Sequence, residues 1–219
     1  MSTAVADVKE KKSEPLFSKK NRKLVSNPLD IDNPITVQVL GVCSALAVTT
    51  QMKPAFIMAV SLTVVVICSS VAISFLRNTI PSRIRIVVQL AVIATFVILV
   101  DQVLKAYVYD VSKQLAVFVG LIITNCIVMG RLEAFAMGNK PWPSLMDGLG
   151  NGLGYGMILM IVAFFREFFG SGAIFGFKVF ESIGLHYPGN GLMLSPAGAC
   201  VVVGIIIWVQ RSINGFREN

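Results

Sequence analysis

The chain has 219 residues, of which 55% are hydrophobic and only 14% are charged, and its mean hydropathy is +0.74. Because soluble domains carry about 25% charged residues, this composition excludes a soluble domain and predicts an integral membrane protein surrounded by the lipid bilayer. The net charge of +7 does not indicate a nucleic-acid partner, since most basic residues lie in a terminal tail and in the loops on one side of the apolar segments.

The first 33 residues form a basic tail that contains no apolar stretch. A cleavable signal peptide needs an apolar region, so residues 1–33 are predicted to be a solvated cytoplasmic tail. Residues 34–212 form the membrane domain, and residues 213–219 form a second, short cytoplasmic tail. The membrane domain contains six apolar segments, numbered 1 to 6, at residues 35–50, 54–76, 84–100, 115–130, 149–169 and 192–210.

Segments 1 and 4 are unusually short. Each has 16 residues, or about 24 Å of helix at ~1.5 Å per residue, against a hydrocarbon core of about 30 Å. Each opens one half of the chain, and three segments per half turn the second half upside down. Short segments at corresponding positions of two halves indicate a site near the bilayer midplane. The expected fold class is all-α integral membrane, with six transmembrane helices as two inverted three-helix repeats and short first and fourth helices.

Lysine and arginine set the expected orientation. Most of the 19 such residues lie in the N-terminal tail, in the loops after segments 2 and 4, and after segment 6. Because cytoplasmic loops of membrane proteins carry an excess of Lys and Arg, both termini and these two loops are predicted to be cytoplasmic. The N-terminal tail contributes much of the asymmetry, so the predicted orientation depends heavily on it.

Two cysteines, Cys43 and Cys126, lie inside the short segments 1 and 4, and both reach close to the midplane from opposite sides. A single cysteine in a membrane helix is usually an inert apolar residue, and this interpretation is kept for Cys68 and Cys200. The matched depth of the first pair favours metal ligation over a disulfide, which would add little to helices already held by lipid. Iron–sulfur clusters and structural zinc usually need four ligands. Two thiolates therefore predict a second subunit with two more, and an enclosed centre, because lipid exposure of charge is costly.

Two further motifs favour structural roles over cofactor binding. The glycines at positions 148, 150, 152, 154 and 156 do not match the dinucleotide-binding pattern G-x-G-x-x-G, because Leu153 interrupts it and no strand precedes it. Gly148, Gly152 and Gly156 have the spacing of closely packed transmembrane helices. Residues 171–174 read Ser-Gly-Ala-Ile, close to a flavin-attachment motif that ends in threonine. Ile174 has no hydroxyl for the phosphoester, so no flavin is expected on this chain.

Two pairs of charged residues lie at or near the ends of apolar segments. Arg166 and Glu167, at the end of segment 5, are predicted to be an interfacial anchor or a partner contact, with ion conduction as the alternative that intramembrane charges raise. Asp101 and Lys105 have the spacing of an interfacial ion pair on a helix. No carboxylate falls deep in any segment, so a dedicated acidic sodium or proton site is not expected in this chain alone.

Residues 40–49, 120–136 and 147–156 closely resemble the family of D-type membrane subunits of the bacterial Na⁺-translocating NADH:quinone oxidoreductase, and the resemblance covers most of the membrane domain. It implies one membrane subunit of a six-subunit translocase of the bacterial inner membrane, which transfers electrons from NADH to ubiquinone and transports sodium. It implies no complete NADH or quinone site in this chain, and no catalytic residue.

The same resemblance implies a cofactor. In that family the D-type chain and an inverted relative, the E-type chain, together hold a [2Fe–2S] cluster with two cysteines from each, and the matching positions are Cys43 and Cys126. One alternative is the E-type chain of the related ferredoxin:NAD⁺ (Rnf) electron-transport complex, whose members typically read Leu-Cys-Pro-Leu-Leu where residues 42–46 read Val-Cys-Ser-Ala-Leu. The other is a cofactor-free secondary transporter of inverted-repeat fold, which bound iron would exclude.

Overall fold

The computed structural model describes residues 24–29, 33–81, 83–107, 120–174, 177–178 and 191–213. Within these ranges the chain is almost entirely helical. The helices are α1 (Val42–Val48), α2 (Met52–Leu76), α3 (Arg85–Tyr107), α4 (Cys126–Arg131), α5 (Pro141–Ser171), α6 (Gly191–Leu194) and α7 (Pro196–Ile213). A 3-10 turn at Asn27–Leu29 precedes α1, and a π-helical turn at Leu132–Ala136 follows α4. After α5, the two-residue strands Ala173–Ile174 and Phe177–Lys178 pair antiparallel.

Four of these helices are long and apolar enough to cross a membrane, and they match the predicted segments 2, 3, 5 and 6. Their spans are Met52–Leu76, Arg85–Ala106, Pro141–Ser171 and Pro196–Ile213. The prediction of an all-α, multi-pass membrane protein is therefore confirmed. Helix α5 begins at Pro141 rather than at residue 149, and proline is tolerated in the first turn of a helix. The prediction began later because polar residues lower the hydropathy before residue 149.

The prediction of one continuous helix in each short segment is wrong. In segment 1 only Val42–Val48 is α-helical, and residues 34–37 form turns. In segment 4, residues 120–123 are helical, the helix stops at residues 124–125, and α4 starts at Cys126; residues 115–119 lie outside the described part of the chain. Irregular backbone at membrane depth is tolerated where it is buried in protein. Each segment thus contains a break close to its cysteine.

The centre of the fold is the contact between α2 and α5. A Cβ atom added at Gly152 would lie 2.7 Å from Cγ2 of Thr63, and one at Gly156 would lie 3.2 Å from Cβ of Ala59. The four-residue steps run in opposite directions on the two helices, so the helices are antiparallel and their backbones approach closely. The predicted packing role of these glycines is confirmed. The pairs along the contact are Gly148–Ile67, Gly152–Thr63 and Gly156–Ala59.

Gly150 and Gly154 pack against the segment 24–29 instead. A Cβ atom added at Gly150 would lie 2.6 Å from a backbone carbonyl oxygen of that segment, and Asn33 Nδ2 donates to the carbonyl oxygen of Gly154 at 3.2 Å. Residues 24–29 therefore lie against α5 and are not a free part of the predicted solvated tail. Residues 1–23 of that tail lie outside the described residues.

One face of α5 is polar. Asp147, Asn151 and Tyr155 follow each other at four-residue steps, which places them on one side of the helix, and all three are buried. Arg166 is buried farther along the same helix. Tyr155 and Arg166 bond to residues of α1, and Asp147 bonds to α4. The outward faces of α3 and α7 are apolar, as expected for lipid contact, and expose Ile86, Val87, Ile98, Leu99, Val103, Val201, Ile205, Trp208, Val209 and Ile213.

Candidate metal centre

The first break lies between Asn33 and Cys43. Asn33 Oδ1 accepts a hydrogen bond from the backbone N–H of Ile35 at 3.0 Å, which favours a local turn over a helix. Gly41 has φ 77° and ψ 15°, a left-handed conformation that glycine adopts without a steric penalty. Helix α1 begins at the next residue, so Cys43 lies in its first turn.

Asn125 forms the second break. Its backbone is extended, with φ −71° and ψ 121°, so the helix over residues 120–123 cannot continue through it. Its side-chain oxygen accepts from the backbone N–H of Ile127 at 3.3 Å, which makes it the N-cap of α4. Cys126 is the first residue of that helix, so the second cysteine also lies in the first turn of a short helix.

Three buried polar side chains join the two breaks, and Ser44, Asn125 and Tyr155 are termed the break triad. Asn125 Nδ2 donates to Ser44 Oγ at 3.0 Å, and Ser44 Oγ lies 2.8 Å from the Tyr155 hydroxyl. Each of the three side chains is at most 1% exposed. A Cβ atom added at Gly41 would lie 3.1 Å from Asn125 Oδ1 and 3.2 Å from Tyr155 Cε2, so this approach depends on glycine.

The break triad brings the turns of Cys43 and Cys126 next to each other. Cys43 directly precedes Ser44 and Cys126 directly follows Asn125, and consecutive Cα atoms are about 3.8 Å apart. The triad residues are buried, whereas both cysteines are exposed. The two thiols therefore face outward from the point where the breaks meet.

The donor set at this point fits a shared metal centre better than a complete one. Within the described ranges no group of three or more His, Cys, Asp or Glu side chains could hold a metal ion. Cys68 is half-buried on α2 and Cys200 is exposed on α7, and neither adjoins a break. Two free, outward-facing thiols can supply half of a four-ligand site, provided that another chain supplies the rest.

Arg166 and Glu167 hold the connection between α1 and α2. Arg166 Nη1 donates to the carbonyl oxygen of Leu46 at 3.1 Å and to Thr49 Oγ1 at 2.6 Å, at the end of α1. Glu167 Oε2 accepts from the backbone N–H of Met52 at 2.6 Å, at the start of α2. The remaining guanidinium nitrogens of Arg166 donate to the carbonyl oxygens of Met193, Leu194 and Ser195. The pair therefore anchors helix ends of this chain.

Two ion pairs lie beside α4. Arg131 pairs with Asp147 of α5, with Nε and Oδ2 3.0 Å apart, and Asn151 Nδ2 donates to Asp147 Oδ1 at 3.1 Å. Glu133, in the π-helical turn, pairs with Arg85 of α3. Asp147 is only 2% exposed, and it lies on α5 just before the predicted segment 5, because α5 starts earlier than predicted. The expectation that no carboxylate falls deep in a segment stays a prediction.

The ion pair expected on α3 is confirmed. Lys105 Nζ lies 2.5 Å from Asp101 Oδ2, four residues before it on the helix. The lysine side chain is 48% exposed, so the pair lies at the surface, where such contacts contribute about 0–1 kcal/mol. It is remote in sequence from both breaks and adds nothing to the candidate centre.

The motif at residues 171–174 ends α5. Gly172 is left-handed, with φ 65°, and its N–H donates to the carbonyl oxygen of Phe168 at 3.2 Å, as in a helix C-cap. Strand Ala173–Ile174 follows directly. The motif thus has a structural role here, and the expectation that no flavin is attached stays a prediction.

The sequence indicated both cysteines as candidate ligands, which stays a prediction, whereas the break triad was missed. Ser44 and Asn125 each adjoin a cysteine in a mostly apolar segment, and this repeated polar neighbour is the signal that could have identified them. Tyr155 gave no such signal, because it lies inside the glycine run and 111 residues from its partner Ser44.

Comparison with known proteins assigns this chain to a family. The family profile described as Rnf-Nqr subunit, membrane protein, matches residues 21–207, a range that includes both breaks. The D subunit of the Na(+)-translocating NADH-quinone reductase of Haemophilus ducreyi is 58% identical over 193 residues, which cover 87% of this chain and 93% of that protein. The protein of the same name from Shewanella woodyi is 56% identical over 198 residues, with coverage of 90% and 94%, and that from Haemophilus influenzae is 56% identical over 193 residues, with coverage of 87% and 93%. The chain therefore belongs to the Rnf-Nqr family of membrane subunits.

Proposed function

We propose that this chain is the D-type membrane subunit of a Na⁺-translocating NADH:quinone oxidoreductase in a bacterial inner membrane. The names of its close relatives support this assignment, since they match this chain over most of its length, and they favour it over the E-type chain of the Rnf complex. The chain relays electrons, coupled to sodium export, and has no NADH or quinone site of its own. The observation that carries the proposal is the pair of outward-facing thiols where the two breaks meet.

In this proposal Cys43 and Cys126 supply two of the four ligands of a [2Fe–2S] cluster, and an inverted E-type relative supplies the other two. The cluster, when bound, supplies one-electron transfer between neighbouring redox centres. The chain's own part is positional. The break triad orients the two turns, and the packed residues behind the triad exclude water from the inner side of the centre. The partner covers the outer side, because a charged centre exposed to lipid is costly.

An exchange of contacts between the halves supports the inverted repeat. Near the end of α5, Glu167 accepts from the N–H of Met52, where α2 begins. Near the end of α2, Ser74 Oγ donates at 2.6 Å to the carbonyl oxygen of Asn139, just before α5 begins. Each long helix thus holds the connection that leads into the other one, as expected for two halves of opposite direction. Together with the distribution of basic residues, this supports six membrane segments with both termini in the cytoplasm.

The proposal is tested by replacing each thiol with serine in the assembled complex. Serine is similar in size to cysteine, but its hard, weakly acidic oxygen is a poor ligand where iron prefers a soft thiolate. Cys43→Ser and Cys126→Ser should each lose the iron and acid-labile sulfide of this centre and abolish NADH-driven quinone reduction, while flavins that accept electrons from NADH still become reduced. Cys68→Ser and Cys200→Ser are the matched controls and should be nearly silent, because neither cysteine adjoins a break.

The stoichiometry of the chains in each purified complex separates loss of iron from loss of assembly. Full iron content in both Cys43→Ser and Cys126→Ser would contradict ligation by these residues. A Cys43→Ser complex that assembles, lacks the iron and reduces quinone at the full rate would remove the centre from the electron path. A complete cluster in the purified single chain would contradict sharing with a partner.

A further inference from the structure

Tyr155 is the member of the break triad that lies outside the two short segments. It lies on α5, a continuous helix of 31 residues, and its side chain is 0% exposed. Its hydroxyl reaches Ser44 at 2.8 Å, and its ring forms the surface against which Gly41 packs. The side chain touches the first break directly and reaches the second through Ser44 and Asn125. Helix α5 can therefore hold both breaks in position relative to itself.

The hydrogen bonds at Ser44 determine which group donates. A serine hydroxyl has one proton and two acceptor lone pairs. Ser44 Oγ donates to the carbonyl oxygen of Gly41 at 2.8 Å, so it accepts both from Asn125 Nδ2 at 3.0 Å and from the hydroxyl of Tyr155. All these contacts are satisfied together only if Tyr155 is the donor. One oxygen atom therefore receives a bond from the second break and one from α5, while it holds the left-handed turn of the first.

We infer that Tyr155 is a positioning residue for the two thiols: through Ser44 and Asn125 it sets the separation and orientation of the turns that carry Cys43 and Cys126. The effect on an iron centre rests on the proposed function, whereas the effect on thiol geometry does not. Hydrogen bonding and burial around the ligands tune the reduction potential of iron–sulfur centres. A change in how the two turns are held should therefore alter the electronic properties of the centre even where the iron is retained.

The first test uses the whole complex with Tyr155→Phe, which keeps the ring and removes only the hydroxyl. The reduced centre should retain its iron, with an altered electron paramagnetic resonance spectrum and a midpoint potential shifted from that of the wild type. Thr63→Val is the matched control, because the hydroxyl that it removes donates within α2, to Ala59 at 2.7 Å, and Thr63 packs against Gly152 of α5 rather than against the break triad. Its spectrum and potential should equal those of the wild type. A Tyr155→Phe complex with an unchanged spectrum and potential would overturn the inference.

Ser44→Ala provides a second route to the same result if Tyr155→Phe assembles poorly, since it removes the oxygen on which the bonds converge. If Tyr155 acts through Ser44, the double variant should show the same shift as Ser44→Ala alone. Independent sites instead give additive effects, so additive shifts would contradict action through Ser44.

The third test measures thiol geometry in the metal-free complex, in a Cys68→Ser, Cys200→Ser background. A short bifunctional maleimide should cross-link Cys43 to Cys126 within the chain, detected by mass spectrometry, and Tyr155→Phe should lower the cross-linked fraction several-fold. Absence of the cross-link in the parent complex, or an equal fraction in the variant, would overturn the positioning role. If the wild-type complex lacks iron at this site, the proposed function fails, and this cross-linking measurement still decides the role of Tyr155.

Discussion

Replacement of Gly41 by alanine perturbs the first break at the point where it meets the second. The left-handed conformation, with φ 77°, costs a residue with a Cβ atom about 1–2 kcal/mol. The new Cβ would also lie 3.1 Å from Asn125 Oδ1 and 3.2 Å from Tyr155 Cε2, so the triad must shift by a few tenths of an ångström. We expect an unfolding free energy lower by about 1–3 kcal/mol. We also expect a clear loss of the iron that the proposed function assigns to Cys43 and Cys126, because the turns that carry them shift apart.

Gly172→Ala is the matched control for this experiment. Gly172 is also left-handed, with φ 65°, so its replacement carries a similar strain of about 1–2 kcal/mol. It lies roughly 25 Å along α5 beyond Tyr155, at ~1.5 Å per residue, and should leave the iron content unchanged. Equilibrium unfolding in mixed micelles measures the strain, and metal analysis of the folded complexes measures the site. Equal iron in the two variants would refute the reasoning that close approach at Gly41 sets the geometry of the thiols.

The contact between α2 and α5 predicts that Gly152→Ala lowers the unfolding free energy by about 1–3 kcal/mol through overpacking. Gly204→Ala is the control and should be neutral or slightly stabilising, because its added Cβ meets nothing within 4 Å. Equal effects of the two variants would contradict the close packing. Glu167→Ala removes the acceptor of the Met52 N–H and should lower the unfolding free energy by about 1–3 kcal/mol. Glu167→Gln keeps an acceptor and should recover most of that loss. Identical losses in the two variants would exclude the capping role. Reporter fusions near Lys140 and at the C-terminus should both report the cytoplasm, and a periplasmic Lys140 would contradict the six-segment topology.

The features that the sequence predicted are those carried by local pattern. Long apolar runs identified α2, α3, α5 and α7, since burial in lipid depends on hydropathy summed along a helix. The four-residue spacing of Gly148, Gly152 and Gly156 indicated a packing face, which the structure confirms against α2. The two cysteines stood out because they recur at matching places in two short segments.

The breaks and the triad could not be predicted in the same way, because they depend on contacts between distant residues. Gly41 and Asn125 look like ordinary interruptions of apolar runs. Gly41 makes its left-handed turn where Asn125 and Tyr155 lie close to it. Asn125 ends the helix over residues 120–123 where its side chain donates to Ser44, and all these partners are distant in sequence. The early start of α5 was not predicted for a related reason. Asp147 lowers the mean hydropathy near the beginning of this helix, and local hydropathy does not include the ion pair that Asp147 forms with Arg131.

The clamp formed by Arg166 and Glu167 constrains the order in which the chain matures during synthesis. The bond from Arg166 to Leu46 spans 120 residues, and that from Met52 to Glu167 spans 115, so the connection between α1 and α2 leaves the ribosome long before the groups that satisfy it. Domains that fold as units can mature while the rest of a chain is still being made. The first half of this chain cannot complete its contacts in this way. The polar connection between α1 and α2 gains its hydrogen-bond partners only when α5 inserts. The two halves of the chain therefore complete their folding together.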